Sequence, residues 1–262
     1  MDVRFDGRVI LVTGAAQGVG AAIAEAVAAN GAAGIMLSDR DTVGATATLA
    51  RLRASGAAVG FVAADLADAG AADVIFDAAL AQFDRVDGLV NAAGITNRGG
   101  IADATPATWD ALFAVNACAP FFLMQRLVNH LRQRAAPGSI VNILSINAHG
   151  GTSDLAVYAA SKAALGVLTR NLSQTHRFDR IRANGINLGW AETPGEHHMQ
   201  SVVLGNGPGW IEQARSSQPF GRLIVPEDVA RLAIYLLSDA SVPIMGAMVD
   251  MEQWVSGTRG AG

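Results

Sequence analysis

Three polar side chains in the middle of the sequence have the types and spacing needed to move the proton of an alcohol. Tyr158 and Lys162 are four residues apart, so on a helix they lie on one face, one turn apart. Because an ammonium group favours a nearby phenolate, we expect Lys162 to lower the pKa of Tyr158 from its usual value of about 10. Ser145 ends the preceding predicted strand, and its hydroxyl can hydrogen-bond the reacting oxygen. The pattern predicts general acid–base catalysis on an alcohol or a carbonyl. A surface Tyr/Lys pair is the alternative.

Asn116 is a fourth candidate, inside a helix predicted over about 108–133. Pro120 follows four residues later and has no N–H, so the backbone carbonyl of Asn116 loses its helical partner. We expect a kink that leaves this carbonyl free to hold a water. Such a water would connect Tyr158, through Lys162, to solvent. The alternative is an ordinary proline kink without a catalytic role.

A glycine-rich segment, Thr13-Gly14-Ala15-Ala16-Gln17-Gly18-Val19-Gly20, joins the first predicted strand to the first predicted helix. Without side chains at Gly14, Gly18 and Gly20, the backbone can turn tightly and approach a pyrophosphate. The N–H groups at the start of the following helix point at that anion. Because the glycines stand in a strand–turn–helix context, they predict a nucleotide cofactor rather than a plain turn.

The acidic residue that selects the cofactor is expected at the end of the second predicted strand. Asp39 stands there, about 20 residues after the glycine segment, where an acid hydrogen-bonds the adenosine ribose. Its carboxylate would repel a 2′-phosphate, which favours NAD over NADP. Arg40 argues the other way, because a guanidinium can bind that phosphate. Asp65, after the third predicted strand, is either a contact near the adenine or a helix N-cap.

Short apolar runs alternate with longer Ala-rich stretches along the whole chain. Strands are predicted over 9–12, 35–37, 59–63, 89–90, 139–144, 183–188 and 247–250, and helices over about 18–30, 42–55, 71–83, 108–133 and 155–175 and from 226 onwards. This alternation predicts one α/β domain over 1–262, a Rossmann-type doubly wound sheet of seven parallel strands with helices on both faces. Residues 190–219 are rich in glycine and are expected to form a mobile insertion beside the substrate.

The composition excludes several classes of protein. The hydrophobic fraction is 51%, enough for a sizeable core, and the net charge is −4, which argues against nucleic acid or an anionic membrane as a partner. Cys118 is the single cysteine, expected to be buried, so neither an intrachain disulfide nor a multi-cysteine metal site is expected. No signal peptide and no apolar stretch of ~18–20 residues is recognised, so a cytoplasmic protein is expected. His197 and His198 lack a third ligand, and no metal site is predicted.

Over essentially its full length the sequence resembles a classical short-chain dehydrogenase/reductase. The matching motifs are Thr13-Gly14-x-x-x-Gly18-x-Gly20, Asp65, Asn91-Ala92-Ala93-Gly94, Asn116, Ser145 and Tyr158-x-x-x-Lys162. The resemblance implies a catalytic tetrad of Asn116, Ser145, Tyr158 and Lys162, a nicotinamide cofactor whose ribose Lys162 also binds, and a homotetramer or homodimer. The cofactor-binding residues expected from motif and resemblance together are Gly14, Gln17, Gly18, Val19, Gly20, Asp39, Arg40, Asp65, Leu66, Asn91, Ala92, Gly94, Tyr158, Lys162, Gly189, Ala191 and Thr193.

The sequence departs from the family pattern at three places. Ala92 stands where the family has asparagine, and Leu188 replaces a proline before Gly189, although Thr193 is kept to hold the nicotinamide carboxamide. Near the C-terminus the family has Asp-Gly-Gly, whereas this chain has Asp250-Met251-Glu252. The tail after this point is expected to pack on a neighbouring subunit.

The expected substrate is a hydroxylated small molecule. Its candidate contacts, each of which could instead be a solvated loop residue, are Arg98, Asn147, His149, Trp190 and His197. Polar groups beside a tryptophan suit a sugar or polyol, so an NAD-dependent dehydrogenase of such an alcohol is the first hypothesis. A 3-oxoacyl thioester reductase using NADPH is the second, and a non-catalytic nucleotide sensor is the third.

Overall fold

Seven parallel strands form one sheet in the computed structural model, which describes residues 2–255. In chain order the strands are β1 (Val9–Thr13), β2 (Gly34–Asp39), β3 (Val59–Ala63), β4 (Gly88–Asn91), β5 (Gly138–Ser145), β6 (Ile181–Leu188) and β7 (Met248–Met251). Their order across the sheet is β3-β2-β1-β4-β5-β6-β7, and every neighbouring pair is parallel. The predicted fold class is confirmed.

Helices connect the strands and cover both faces of the sheet. They are α1 (Gly18–Ala29), α2 (Thr42–Ala54), α3 (Ala71–Phe83), α4 (Pro106–Phe113), α5 (Ala119–Gln133), α6 (Ala156–Thr175), α7 (Pro194–His198), α8 (Trp210–Ser216) and α9 (Pro226–Leu237). Side-chain N-caps fix where two of these helices begin. The carboxylate of Asp41 accepts the N–H of Gly44 at 2.8 Å, and the hydroxyl of Thr105 accepts that of Thr108 at 3.1 Å.

Successive residues of β1 supply the two hydrophobic cores. Ile10 and Val12 point to the face that α1 and α9 cover, where they pack with Ile23. Leu11, between them, points to the face that α3 and α5 cover and belongs to the same core as Phe76. This alternation follows from the period of two along a strand. A strand covered on both faces has no solvent side, which explains its uninterrupted apolar run.

The strand order changes direction between β1 and β4. Thr13 pairs with Asn91 at this point, so the glycine-rich loop after β1 lies beside the loop after β4. Neighbouring connections from these two strands run to opposite faces and leave a crevice at the carboxyl edge of the sheet. In doubly wound sheets ligands bind in that crevice.

The helix predicted over 108–133 is broken by a π-helical turn. Helical structure runs from Pro106 to Gln133, and the turn occupies Ala114–Cys118 between α4 and α5. The break is therefore an extra residue inserted into the helix, not only the kink expected at Pro120. Cys118 is exposed in this turn, contrary to the expectation that it is buried.

By length and composition, the run from Pro106 to Gln133 is apolar enough to cross a membrane. No stretch of that kind was expected from the sequence. In the structure Leu123, Leu127 and Leu131 of this run are completely buried in the core beneath α5. The apolar residues of this helix therefore form part of the core on that face of the sheet.

Residues 190–219 contain helices instead of a structureless loop. α7, a second π-helical turn at Met199–Val203, and α8 lie within this segment. Trp210 is buried with Ala214 and Leu223 in a small core of their own. The mobility of the segment stays a prediction.

The described end of the C-terminal tail bonds to its own chain. Glu252 accepts the backbone N–H of Trp190 at 3.3 Å. Gln253 accepts that of Phe220 at 3.0 Å and donates its side-chain amide to the carbonyl of Arg222 at 2.7 Å. Glu252 and Gln253 therefore hold both ends of the insertion, and contact of the tail with a neighbouring subunit stays a prediction.

Candidate active site

A cleft of about 900 Å³ opens at the carboxyl edge of the sheet. It brings together most of the residues expected to bind a cofactor: Gly14, Gln17, Gly18, Val19, Gly20, Asp39, Arg40, Asp65, Leu66, Ala92, Gly94, Gly189, Ala191 and Thr193. Tyr158, Lys162 and Ser145 line the same cleft. Asn91 does not line it, because its side chain is buried and donates to Oδ1 of Asn142 at 2.8 Å.

The glycine-rich loop leaves room for an anion because its backbone packs too closely for side chains. A Cβ on Gly14 would lie 2.6 Å from Cα of Ala93, and one on Gly20 would lie 2.2 Å from the carbonyl oxygen of Gly14. Gly18 has a φ of +59°, which L-residues with side chains rarely adopt. The N-cap of α1, Gln17, makes no side-chain capping bond. The first N–H groups of α1 thus remain available, and the loop fits the pyrophosphate of a dinucleotide.

The carboxylate of Asp39 fixes the rim of the cleft beside this loop. Its Oδ2 accepts the N–H of Ala16 at 3.0 Å, and its Oδ1 accepts that of Asp41 at 3.0 Å. Arg40 is exposed and forms a long ion pair with Asp65 at 3.4 Å. Two carboxylates and one guanidinium therefore surround the place where an adenosine ribose would bind.

Tyr158 and Ser145 form the buried floor at the other end of the cleft. The side chain of Ser145 accepts the N–H of Asn147 at 3.1 Å, which fixes its position at the end of β5. Burial raises the pKa of Tyr158, the hydrogen bond with Ser145 lowers it, and the charge of Glu196 raises it further. The net direction is upward. The expectation that Lys162 lowers this pKa is wrong here, because desolvation is the largest effect.

Lys162 is the only lysine in the sequence, and its side chain is 4% exposed. Its Nζ donates to the backbone carbonyl of Ile143 at 2.8 Å. A Cβ on Gly94 would lie only 3.1 Å from this Nζ, so the absence of a side chain there leaves room for the ammonium group. Desolvation lowers the pKa of Lys162 to about 8. The group can therefore gain or lose a proton near neutral pH.

Asn116 connects the π-helical turn to the loop after β4. Its side chain accepts the N–H of Ile95 and donates to the carbonyl of Ile95, both at 3.0 Å. It also donates to the hydroxyl of Ser161 at 3.0 Å, and Ser161 in turn donates to the carbonyl of Tyr158 at 2.7 Å. The side chain of Asn116 thus positions α6, which carries Tyr158 and Lys162, from behind the cleft. Ser161 was missed in the sequence, where a serine on a helix carries no distinctive signal.

Three of the five expected substrate contacts line the cleft: Arg98, Asn147 and Trp190. His149 lines a separate groove of about 470 Å³ beside α6 and lies 3.1 Å from the carboxylate of Asp250. His197 packs edge-on against Trp210, with the ring centres 4.9 Å apart. Across residues 2–255, no group of three or more His, Cys, Asp or Glu side chains is placed to hold a metal ion.

Two carboxylates in the substrate end of the cleft were not predicted as contacts. Glu196, on α7, and Glu252, after β7, both line it. In the sequence Glu196 looks like an ordinary acid in the first turn of a helix. Glu252 could have been recognised, because it stands where the related family has glycine and therefore adds a charged side chain.

Comparisons with known proteins agree with this geometry. A family model described as enoyl-(acyl carrier protein) reductase matches residues 14–253. A D-threitol dehydrogenase of Mycolicibacterium smegmatis is 34% identical over 247 residues, which cover 94% of this chain and 92% of the relative.

Two solved structures that the chain resembles act on different classes of substrate, a sugar and a 3-oxoacyl thioester. The L-sorbose reductase of Gluconobacter frateurii, in complex with NADPH and L-sorbose, has a TM-score of 0.91 at 27% identity and covers 99% of this chain and 100% of that one. A 3-oxoacyl (acyl-carrier-protein) reductase of Agrobacterium tumefaciens with NADP bound has a TM-score of 0.86 at 30% identity, covering 95% and 94%. Both neighbours hold NADP or NADPH, which supports a nicotinamide cofactor.

The buried charge of Lys162 predicts an unusual pH dependence of stability. Its pKa falls from 10.5 to about 8 on folding, so between these values the unfolded chain binds more protons than the folded one. The free energy of unfolding of the wild type should therefore rise with pH in this window. Between pH 7 and pH 9.5 we expect the free energy of unfolding of the wild type to rise by about 2 kcal/mol more than that of Lys162→Met, which lacks the titrating group. Urea unfolding at both pH values measures it.

Tyr158→Phe is the control for this experiment, because it keeps Lys162 and should show the pH dependence of the wild type. A difference between wild type and Lys162→Met that stays constant from pH 7 to pH 9.5 would contradict the lowered pKa.

Proposed function

Since the chain belongs to the short-chain dehydrogenase/reductase family, we propose that it is an NAD-dependent dehydrogenase of a sugar, a polyol or a related secondary alcohol. The observation that carries the proposal is the lining of the cleft around Tyr158. The lining there includes the amide of Asn147, the hydroxyl of Thr152, the indole of Trp190 and the carboxylate of Glu196. A hydroxylated substrate can hydrogen-bond these groups and place its C–H face on the indole ring.

In the proposed mechanism the four residues of the expected tetrad each contribute to the transfer of one proton. When bound, the nicotinamide accepts hydride from the carbinol carbon or returns it to a carbonyl. During oxidation Tyr158 takes the hydroxyl proton as its own phenolic proton passes towards unprotonated Lys162, and during reduction the transfer runs in reverse. Ser145 donates a hydrogen bond to the reacting oxygen as charge develops on it. Lys162, with its pKa of about 8, passes the proton onward, and Asn116 holds the helix that carries both residues.

The thioester reductase remains the second candidate, favoured by the solved reductase with NADP bound. The negative charge of the cleft argues against it. Asp39 opposes the 2′-phosphate of NADPH, and the chain as a whole carries a net charge of −4, which disfavours docking of an acidic carrier protein. A pure nucleotide sensor would have no use for Ser145 beside the hydroxyl of Tyr158, an arrangement suited to the proton of an alcohol.

We also propose a cytoplasmic homotetramer or homodimer. Phe121 and Phe122 of α5 are partly exposed side by side, 38% and 46%, and Cys118 is exposed in the turn before them. An apolar surface of this kind is suited to contact with a second copy of the chain.

Asp39 provides a test of the cofactor preference. In Asp39→Asn the side-chain oxygen that accepts the N–H of Ala16 can remain while the charge is lost. We expect the ratio of kcat/KM with NAD to that with NADP to fall by about tenfold, because one repulsion of the 2′-phosphate is removed. Steady-state rates with each cofactor measure the ratio. If Arg40→Ala instead abolishes a strong NADP activity of the wild type, Arg40 binds the phosphate and the proposal of NAD is wrong.

Tyr158→Phe tests the reaction itself. Wild-type protein should reduce NAD, followed at 340 nm, with at least one member of a panel of tetritols, pentitols, hexitols and sugars. The variant should lose about a thousandfold or more in kcat, since the proton acceptor is gone, and should still bind NADH. Reduction of acetoacetyl thioesters with NADPH, without oxidation of any polyol, would favour the second candidate.

A further inference from the structure

Two carboxylates at the substrate end of the cleft have no ion pair. Glu196 and Glu252 line it, and among residues 2–255 neither is paired with an arginine, lysine or histidine. Two cations line the cleft as well: Lys162, whose charged form burial disfavours, and Arg98, which pairs with the carboxylate of Asp154 at 3.1 Å and whose Nε is buried without a hydrogen-bond partner. A carboxylate-bearing substrate would be repelled by Glu196 and Glu252, neither of which forms an ion pair.

The carboxylate of Glu196 is held in one orientation. Its Oε1 accepts the indole N–H of Trp190 at 2.8 Å and the side-chain amide of Gln200 at 2.7 Å. Within the described part of the chain, Oε2 has no hydrogen-bond donor. Two donors on one oxygen leave the other oxygen available, and an ionised carboxylate oxygen is the strongest acceptor a hydroxyl group can find in a protein.

Glu196 lines the same cleft as Tyr158. Burial is the main cause of the raised pKa of Tyr158, and the charge of Glu196 adds to it. Glu252 lies beside Glu196, since both carboxylates accept hydrogen bonds from Trp190, one from its indole N–H and the other from its backbone N–H. A carboxylate that lines this cleft can accept a hydrogen bond from a further hydroxyl of a substrate bound at Tyr158.

We infer that Glu196 is a specificity-determining residue that accepts a hydrogen bond from a second hydroxyl of the substrate and excludes anionic substrates. This inference rests on the proposed function and narrows it. The substrate class is a neutral polyol or sugar with adjacent hydroxyl groups, and sugar acids are rejected. Trp190 acts through Glu196 as a positioning residue, in addition to offering its ring.

The test compares each polyol that the wild type oxidises with the aldonate of the same hydroxyl configuration. In Glu196→Gln the side chain keeps its size and loses its charge. We expect kcat/KM for the polyol to fall by about tenfold, mainly through KM, while that for the aldonate rises by about tenfold. The ratio of the two should then fall by about a hundredfold. Glu212→Gln, an exposed position on α8, is the matched control and should leave the ratio unchanged.

Trp190→Phe provides a second route to the same result. It keeps an aromatic ring and removes the N–H that holds Oε1 of Glu196. We expect the ratio of kcat/KM for the polyol to kcat/KM for the aldonate to fall, but by less than in Glu196→Gln. Most of the change should be in KM. NADH binding and thermal unfolding, measured alongside, show whether each variant is folded.

The outcomes distinguish failure of the role of Glu196 from failure of the proposed function. A wild type that oxidises polyols, together with variants whose ratio stays within about twofold, overturns the role of Glu196 and leaves the proposed function standing. A wild type that oxidises aldonates as well as it oxidises polyols likewise overturns the role of Glu196 and leaves the proposed function standing. A wild type that oxidises no polyol or sugar overturns both.

Discussion

The burial of one ammonium group constrains the rest of this site. Lys162, the only lysine of the chain, lies at the carboxyl end of the sheet with its Nζ bonded to the carbonyl of Ile143. Burying a charge is unfavourable, so the pKa falls to about 8 and the local structure must supply an acceptor and space. β5 supplies the acceptor. Gly94 supplies the space, because any side chain there would press on the ammonium group.

The cleft divides into two ends with different electrostatics. At one end the glycine-rich loop and the first N–H groups of α1 suit an anion, and Asp39 places a carboxylate at the rim. At the other end the buried Tyr158 packs with Leu112 and Leu155, and the carboxylate of Glu196 lines the cleft beside it. The proposed function assigns the first end to the cofactor and the second to the substrate.

The sequence predicted the sheet, and it predicted which residues of the glycine-rich loop and of α6 share one cleft, because each depends on local spacing within a regular element. It did not predict effects that depend on tertiary packing. The upward direction of the pKa of Tyr158 comes from burial beneath other elements, and the π-helical turn at Ala114–Cys118 carries Asn116, which bonds to Ile95 in a distant loop. His149 follows Ser145 closely in sequence but lines a different groove, since the chain turns away after β5. Glu196 became recognisable only when the insertion was placed against Tyr158.

The most direct measurement is the pKa of Lys162 in the folded protein. Because the chain has one lysine, labelling with ¹³Cε-lysine gives a single side-chain signal that needs no assignment. Its chemical shift, followed by NMR from pH 6 to pH 10.5 in the wild type and in Tyr158→Phe, reports the protonation of Nζ. We predict a midpoint of about 8 in both proteins. A midpoint near the ordinary lysine value of 10.5 would show that the ammonium group is solvated, and would contradict the buried, proton-exchanging lysine on which the proposed chemistry depends.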